Sequence, residues 1–186
     1  MGSLTHVKVD LKPLSLGDHL LPEVVKYSFM PTPFGKQMFL ASLPEGVVFL
    51  GFGASALCEA QKELPEATFV REKCRWAGLM ESYFRCGSIE VSVLIRASNF
   101  KLDVLKTLIN AAPVGKVITY ADLAKAAGKP KAVRAVASVL ARNPVSLLIP
   151  CHRVQRKDGS IGRYRWGGDI KNALIEYEKN SFLTRQ

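Results

Sequence analysis

Residues 149–154 read Ile149-Pro150-Cys151-His152-Arg153-Val154, and the rest of the chain is best interpreted outward from this segment. A cysteine lies between a proline and a histidine, at the end of an apolar run that begins at Val145. Cysteine attacks as the thiolate, and a neighbouring histidine can take the proton of a thiol whose ordinary pKa is about 8.5. The segment therefore predicts a nucleophilic cysteine. Because consecutive side chains diverge in an extended segment, we expect His152 to act on Cys151 through a water molecule or across a local bend.

A pair of short helices is predicted immediately upstream. Thr119-Tyr120-Ala121-Asp122 has the spacing of a capping box, and the helix that it opens stops at Gly128. Pro130 suits the start of a second helix, from about Ala132 to Arg142. A longer amphipathic helix that begins near Ser98 precedes the pair. Two short helices joined by a tight turn predict a helix-turn-helix.

The second helix of this pair has an unusual outer face. Ala135 and Ser138 lie away from the predicted core residues, and Arg134 is the one long polar side chain between them. Helices that read the major groove carry several long polar side chains, whereas small residues permit close approach to a narrow groove. For this helix alone, a solvated Arg134 is the simpler interpretation. Beside a predicted nucleophile, contact with DNA is the stronger one.

Charge is distributed unevenly along the chain. Residues 1–99 carry ten Lys/Arg and ten Asp/Glu, whereas residues 100–186 carry sixteen and six, so the whole net charge of +10 lies in the second half. This asymmetry indicates a polyanion partner for the second half, although a basic surface without a partner would look the same. No apolar stretch approaches the roughly 18 residues of a membrane span, and the N-terminal residues lack the charged and apolar regions of a secretory signal. We expect an intracellular protein of the cytoplasm (nucleoid) or nucleus, without a membrane partner.

The cysteine pattern argues against a metal centre. The chain has four cysteines, none in a CxxC pair and none spaced as in a zinc module. We therefore expect reduced thiols in a reducing compartment and no metal. Cys58, Cys74 and Cys86 lack an obvious base, and we expect all three to be buried and inert.

The first half of the chain is predicted to be a small α/β domain. Strands with turns over Val24 to Gly53 form an antiparallel meander. Further elements are expected as helices over Ala54–Glu63 and Ala77–Phe84 and as strands over Thr68–Val70 and Glu90–Ile95. The first 25 or so residues are poorly patterned. The boundary near Ser98 divides the chain into domains of residues 1–97 and 98–186.

A carboxylate that orients His152 is expected from the last helix. This helix, predicted over about Asp169 to Asn180, buries Leu174 and Tyr177. Glu178 lies four residues beyond Leu174, at the edge of the buried face, whereas Glu176 points away. Glu178 is therefore the better candidate, although a surface charge would fit the sequence equally.

Three stretches together carry a family resemblance. They are Lys129-Pro130-Lys131-Ala132-Val133-Arg134-Ala135-Val136, Pro150-Cys151-His152-Arg153-Val154 and Gly162-Arg163-Tyr164-Arg165-Trp166-Gly167. Over about residues 98–180 the chain resembles the O6-alkylguanine-DNA alkyltransferases, the methylated-DNA–protein-cysteine methyltransferases. The first half is similar only in its strand-rich pattern. Arg165-Trp166 is most like the bacterial Ada-type domain.

The resemblance implies direct repair of DNA. The alkyl group of O6-alkylguanine passes irreversibly to Cys151 after the damaged base has flipped out of the duplex, and O4-alkylthymine remains open as a second substrate. Because the thioether product resists hydrolysis, each molecule acts once. The implied partner is double-stranded DNA with an alkylated guanine, bound through its minor groove by a monomeric protein that needs no cofactor.

The resemblance also implies roles for particular residues. Cys151 is the nucleophile, His152 activates it through water, and Glu178 completes the relay. Tyr120 helps to rotate the nucleotide and donates a proton to guanine N3, and Asn143 braces the helix pair against the active site. Arg134 fills the space that the flipped base leaves. The other residues implied to contact DNA are Ala132, Ala135, Ser138 and Tyr120, and the pocket is implied to be lined by Pro144, Gly162, Tyr164, Arg165 and Trp166.

The fold implied has two parts. The first is a ribonuclease-H-like α/β domain with an antiparallel sheet, and the second is a mainly helical domain of winged-helix or helix-turn-helix type. Two departures from the family stand out. Some members bind zinc in the first domain, but His6 and His19 here lie near no cysteine in a recognisable pattern, so we expect no zinc. Arg165-Trp166 stands where the human-type members have smaller residues, and we expect Trp166 to narrow the pocket against bulky adducts such as benzyl.

Two other classes of function stay open. A non-catalytic module that binds alkylated DNA, as a lesion sensor or a regulator, would need the helix pair but not a reactive Cys151. A related family of lesion-binding proteins has tryptophan in place of the cysteine, so Cys151 favours catalysis. A thiol hydrolase that uses Cys151, His152 and Glu178 would turn over repeatedly and would not need the basic half.

Overall fold

The computed structural model describes residues 7–14, 24–162 and 164–180, apart from the side chains of Arg75 and Cys86. Its contacts divide the chain into two compact units, Thr5–Arg96 and Ala97–Gln186. Both helices and strands are present, so the predicted α/β class is confirmed. Among the described residues, no helix combines the length and apolar character that crossing a membrane requires.

The first unit is built on a six-stranded sheet of order β1-β6-β4-β3-β2-β5. Its strands are β1 (Val7–Pro13), β2 (Val24–Pro31), β3 (Gln37–Leu43), β4 (Gly46–Phe52), β5 (Thr68–Arg71) and β6 (Ile89–Ile95). Strands β2, β3 and β4 form the predicted antiparallel meander, whereas β1 pairs parallel to β6 and β5 parallel to β2. Strands β3 and β4 are buried almost throughout, which explains their nearly continuous apolar sequence.

Two helices accompany the sheet, α1 (Ala56–Glu63) and α2 (Arg75–Cys86). Helix α1 starts two residues later than expected, because Ser55 takes the N-cap position, although its side chain makes no capping hydrogen bond. Helix α2 extends the predicted helix at both ends and stops at Gly87, whose φ of 73° is the left-handed conformation that favours glycine.

Two expectations for this unit are wrong. Strand β1 forms in the segment judged poorly patterned, and its alternation of Val7, Val9 and Leu11 was the available signal. The pattern is weak because β1 is an edge strand that buries only Leu11. Cys58 is exposed on α1 rather than buried, whereas Cys74 is buried as expected.

The second unit is mainly helical. It contains α3 (Asn99–Ala111), β7 (Ile118–Thr119), α4 (Tyr120–Ala126), α5 (Val133–Ala141), a 3-10 turn (Cys151–Arg153), β8 (Val154–Gln155) and α6 (Gly168–Glu178). Both predicted caps are present: Ser98 accepts from the Lys101 amide, and Thr119 and Asp122 form a reciprocal capping box. The sequence predicts Val133, Val136 and Leu140 as the core face of α5; in the structure Val136, Val139 and Leu140 are buried, and Val133 is only half-buried.

A two-stranded parallel ladder positions the chemistry in this unit. Strands β7 and β8 pair Ile118 with Val154 and Thr119 with Gln155. The ladder thereby sets the start of α4, which begins at Tyr120, beside the 3-10 turn that carries Cys151. Residues far apart in the chain converge at this place.

Candidate active site

Cys151 begins the 3-10 turn and is 5% exposed. The turn closes through hydrogen bonds from the Cys151 amide to Ile149 O at 2.8 Å and from the Arg153 amide to Pro150 O at 3.0 Å. The extended conformation considered for this segment is therefore wrong, and the local bend is the geometry present. Cys151 and His152 are both buried within one turn.

Asn143 braces the loop that leads to this turn. Its Oδ1 accepts from the Val145 amide at 3.0 Å, and its Nδ2 donates to Ile149 O at 3.0 Å and to Cys151 Sγ at 3.1 Å. The side chain is 1% exposed. The loop is tight enough that Leu147 adopts a φ of 69°, a left-handed conformation that costs energy for a branched side chain. One amide thus holds both the loop and the sulfur.

His152, Arg153 and Glu178 form a buried polar triad. His152 Nε2 lies 2.9 Å from Glu178 Oε1, and Arg153 binds the same carboxylate through Nε to Oε2 at 2.9 Å and Nη2 to Oε1 at 2.7 Å. Arg153 Nη1 also donates to Ala112 O at 2.6 Å, at the end of α3. The structure brings together the predicted pair of His152 and Glu178. Sequence reasoning missed Arg153, although it stands in the segment first quoted.

Burial and charge determine the ionisation of this triad. Burial alone would raise the pKa of Glu178, but His152 and Arg153 outweigh it and lower that pKa to about 2. Burial lowers the pKa of His152, and the attraction of Glu178 opposes the shift only in part. Near neutral pH, Glu178 is an anion and His152 is neutral. Because an ionised carboxylate only accepts hydrogen bonds, Nε2 carries the imidazole proton and Nδ1 is the basic nitrogen.

The Cys151 thiol is subject to opposing influences. Burial raises its pKa, which disfavours the thiolate. The hydrogen bond from Asn143, the charge of Lys171 and the hydroxyl of Ser146 lower it. The reactivity of Cys151 therefore depends on neighbours that stabilise a buried negative sulfur.

Two tyrosines lie near the sulfur. Tyr120, half-buried at the start of α4, has a pKa raised by burial and by Cys151. The Tyr164 hydroxyl is buried, and burial raises its pKa well above the ordinary value. It makes no hydrogen bond of good geometry with the described residues, although Ser146 and Cys151 lie near enough to shift its pKa. Both phenols are protonated near neutral pH and remain potential proton donors.

The Tyr120 hydroxyl lies so close to Gly162 that a side chain at position 162 would crowd it. Gly162 has a φ of 67°, and a Cβ at this position would lie 3.1 Å from the Tyr120 hydroxyl. A side chain there would be strained and would push against that hydroxyl. The close approach links the segment that follows β8 to α4.

The segment 164–167 is held against the loop before Cys151. Trp166 Nε1 donates to Ser146 Oγ at 2.8 Å, and the Arg165 guanidinium lies 5.4 Å from the centre of the Trp166 ring. Ser146 is 1% exposed, and its neighbour Pro144 is also buried. Ser146 was not predicted as a site residue. A hydroxyl on an apolar run before the nucleophile was the one available signal.

Lys171 is the second buried cation that sequence reasoning missed. It lies on α6, is 1% exposed, and donates from Nζ to Val154 O and to Ile161 O, each at 2.5 Å. Burial lowers its pKa to about 8, against the opposing attraction of Cys151. The sequence did not indicate that Lys171 is buried, because a lysine near the start of an amphipathic helix is ordinarily exposed.

The outer face of α5 is separate from these buried groups. Arg134, Ala135 and Ser138 are exposed, and Ala132 is half-buried at the N-cap. The Ser138 hydroxyl turns back to donate to Arg134 O at 3.1 Å. The helix therefore presents small side chains with one arginine among them, as the sequence predicts.

Potential metal ligands do not cluster in the part of the chain that the structure describes, where no group of three or more His, Cys, Asp or Glu residues could hold an ion. His6 and His19 lie outside the described residues. The expectation of a metal-free protein stays a prediction.

Comparison with known proteins identifies the relatives of this chain. The family described as 6-O-methylguanine DNA methyltransferase, DNA binding domain, matches residues 99–180. The chain is 48% identical over 84 residues to the bifunctional transcriptional activator/DNA repair enzyme Ada of Escherichia coli, a match that covers 45% of this chain and 23% of that protein. The chain thus spans about a quarter of that relative.

Two further relatives match over most of their length. A methylated-DNA–protein-cysteine methyltransferase of Methanosarcina barkeri is 33% identical over 159 residues, 83% of this chain and 98% of that protein. The crystal structure of the Mycobacterium tuberculosis O6-methylguanine methyltransferase superposes with a TM-score of 0.69 at 26% identity, over 86% of this chain and 98% of that one. Because the archaeal match extends over nearly the whole relative, the chain belongs to the methylated-DNA–protein-cysteine methyltransferase family, as its sequence predicts.

Proposed function

We propose that this protein repairs alkylated DNA by accepting the alkyl group of O6-alkylguanine on Cys151. The observation that carries the proposal is the buried Cys151 sulfur, which Asn143 holds in the same turn as His152 and Arg153, the two residues that bind Glu178 of α6. Family membership supports the same chemistry, since the relatives carry the name methylated-DNA–protein-cysteine methyltransferase. A soft thiolate suits attack on an sp³ alkyl carbon.

The transfer step follows from the protonation states. Neutral His152 has its basic Nδ1 free of any partner among the described residues, and it can take the Cys151 proton through an intervening water. The sulfur then forms a bond to the alkyl carbon as the bond from that carbon to guanine O6 breaks. The released electron pair passes to the base, and a proton given to N3 by Tyr120 neutralises the guanine anion; a proton shift from N3 to N1 then gives ordinary guanine. The thioether that remains on Cys151 ends the activity of the molecule.

DNA binding is proposed for the exposed face of α5. Small side chains at Ala132, Ala135 and Ser138 allow the backbone to approach the minor groove of double-stranded DNA, and Arg134 would fill the gap left by the flipped guanine. The basic composition of residues 100–186 supports an electrostatic contribution to this binding. Flipping is required because the alkylated oxygen cannot reach a buried sulfur from within the base stack.

The pocket for the flipped base is proposed to be lined by Pro144 and by the segment from Gly162 to Trp166. Trp166 is proposed to narrow this pocket, since its indole is tied to Ser146 beside the nucleophile. A narrower pocket would make the transfer of methyl groups faster than the transfer of bulkier alkyl groups. In the same scheme the protein acts as a monomer, its first unit is ribonuclease-H-like, and its second unit is of winged-helix or helix-turn-helix type.

Covalent transfer is the decisive test. The protein is incubated with duplex DNA that contains O6-methylguanine, digested, and measured by mass spectrometry, with Cys151→Ser as the matched control. We expect one methyl group per molecule on the peptide that contains Cys151, and none in the control. DNA binding without modification would favour a lesion sensor or regulator, and repeated turnover of ester or amide substrates would favour a thiol hydrolase. A second duplex with O4-methylthymine tests the other base.

A further inference from the structure

Lys171 is a buried cation without a carboxylate partner among the described residues. It is 1% exposed, and within the part of the chain that the structure describes its Nζ donates to two main-chain carbonyl oxygens, of Val154 and Ile161. Carbonyl groups provide hydrogen bonds but no full negative charge. Placing an ammonium group in such surroundings is costly unless an anion lies close by.

The other buried charges of this unit are already matched. Arg153 and Glu178 neutralise each other through two hydrogen bonds, and His152 against Glu178 is neutral. Tyr120 and Tyr164 are protonated phenols. The remaining ionisable group that influences Lys171 is Cys151. With Cys151 as a thiolate, the buried set carries two positive and two negative charges; with a neutral thiol, it carries an excess positive charge.

We propose that Lys171 is the counterion of the Cys151 thiolate and makes the thiolate easier to form when His152 takes the proton of the sulfur. This inference rests on the proposed role of Cys151 as the alkyl acceptor. The two carbonyls explain how the ammonium is held in place, because Val154 directly follows the 3-10 turn and Ile161 directly precedes Gly162. Lys171 is thus a positioning residue that acts through the sulfur, while His152 relays the departing proton.

The Lys171 ammonium and the Cys151 thiolate can coexist only over a limited pH range. Because burial lowers the pKa of Lys171 to about 8, the ammonium is present below that pH and is lost above it. Burial raises the pKa of Cys151, so ionisation of the sulfur depends on Lys171 together with Asn143 and Ser146. Alkyl transfer neutralises the sulfur and removes the counterion of Lys171. The pKa of Lys171 must therefore fall when Cys151 is alkylated.

The test compares Lys171→Gln, which keeps a hydrogen-bond donor without the charge, with Lys171→Arg, which keeps the charge. Folded protein is treated with iodoacetamide across a pH series, and carboxamidomethylation of each cysteine is followed by peptide mass spectrometry. Exposed Cys58 reports on the reagent and serves as a control within the same molecule.

We expect Lys171→Gln to move the pH midpoint for Cys151 upward by about one unit or more, with about a tenfold slower reaction at pH 7. The Lys171→Arg midpoint stays near wild type, and the Cys58 profile is the same in all three proteins. An unchanged Cys151 midpoint in folded Lys171→Gln would overturn the proposal. No DNA is used, so the result does not depend on whether methyl transfer occurs.

A second measurement avoids any change at Lys171, in case the glutamine variant does not fold. The pKa of the Lys171 ammonium is measured by carbon-13 NMR in wild type and in Cys151→Ser, whose neutral hydroxyl has nearly the same shape. Reciprocity requires a lower Lys171 pKa in Cys151→Ser. Equal values in the two proteins would show that the sulfur and the ammonium do not interact.

Discussion

Single residues decide the environment of the nucleophile. The sulfur of Cys151 is stabilised by one amide, one ammonium and one hydroxyl, from Asn143, Lys171 and Ser146. Asn143 and Ser146 belong to the loop before Cys151, whereas Lys171 comes from α6, and each opposes the effect of burial on the pKa of Cys151. Reactivity at this position is therefore a balance between desolvation and a few directed polar contacts.

Asn143 should affect stability as well as reactivity. Asn143→Ala leaves the buried Val145 amide and Ile149 carbonyl without their partner, and we expect the free energy of unfolding to fall by about 3 kcal/mol. The measurement is urea denaturation followed by circular dichroism. Exposed Asn172 on α6 provides the matched control, Asn172→Ala, which should change stability little. Equal losses in both variants would contradict the bracing role.

Glu178 should make the free energy of unfolding decrease at acidic pH. Its pKa is lowered from 4.5 to about 2, so the carboxylate stabilises the folded state above about pH 4.5 and this contribution is lost as the pH falls toward 2. The shift corresponds to about 3 kcal/mol. We expect Glu178→Gln to lose stability of this order at pH 7, and less at pH 3, in urea titrations at both values.

The control for this prediction is Glu176→Gln, an exposed carboxylate on the same helix. The free energy of unfolding of Glu176→Gln should be close to that of the wild type at both pH values. If the loss in Glu178→Gln were as large at pH 3 as at pH 7, Glu178 would act through packing rather than through its charge.

At the scale of elements, short local motifs place the site. The capping box at Thr119 starts α4, and the β7–β8 ladder sets α4 beside the cysteine turn. The hydrogen bond from Trp166 to Ser146 holds segment 164–167 against the loop before that turn. None of these elements is long, so their relative placement depends on a few polar contacts between them.

The tie between Ser146 and Trp166 should limit adduct size. Ser146→Ala and Trp166→Phe each remove the hydrogen bond, and we expect each to increase benzyl transfer relative to methyl transfer by about two- to tenfold. The measurement is the rate of inactivation by free O6-benzylguanine against the rate of transfer from O6-methylguanine DNA. Because both changes break one contact, the double variant should add little to either.

The reaction of the wild-type protein with O6-benzylguanine could contradict this prediction. If low micromolar O6-benzylguanine inactivates the unmodified protein, Trp166 does not restrict the pocket. Fully additive effects in the double variant would show that Ser146 and Trp166 act separately.

At the scale of the whole molecule, charge is segregated. The excess of positive charge lies entirely in residues 100–186, which contain the helix pair, whereas residues 1–99 are neutral overall. Contact with phosphates through such a surface releases counterions, so binding becomes sensitive to salt. The first unit contributes no net charge to this effect.

DNA affinity should therefore fall steeply as salt rises. Gel shifts across a salt series measure the slope of log K against log [salt]. We expect Arg134→Ala to make this slope shallower by about one, because a cation inserted into the duplex displaces one counterion of the DNA. Lys36→Ala, an exposed change in the first unit, should leave the slope unchanged. Affinity that does not respond to salt would remove the electrostatic basis of the proposed binding.

Local patterns made much of the fold predictable. The meander of β2 to β4, the caps at Ser98 and Thr119 and the helices of the second unit follow from turn residues, capping residues and periodicity, which act between neighbours in the chain. Strand β1 escaped prediction because an edge strand buries little and its partner β6 lies about eighty residues away. Periodicity in a short segment does not reveal such a partner.

The sequence by itself determined the family, the cysteine beside the histidine and the candidacy of Glu178. Only the tertiary structure revealed that Arg153 shares Glu178 with His152, that Ser146 meets Trp166, and that Lys171 is buried near Cys151. The physical reason is that capping and periodicity are local, whereas the partner of a buried charge is chosen by packing among distant segments. The segment at residues 149–154 predicts a nucleophile, but the packing of distant segments determines which charged and polar groups surround its sulfur.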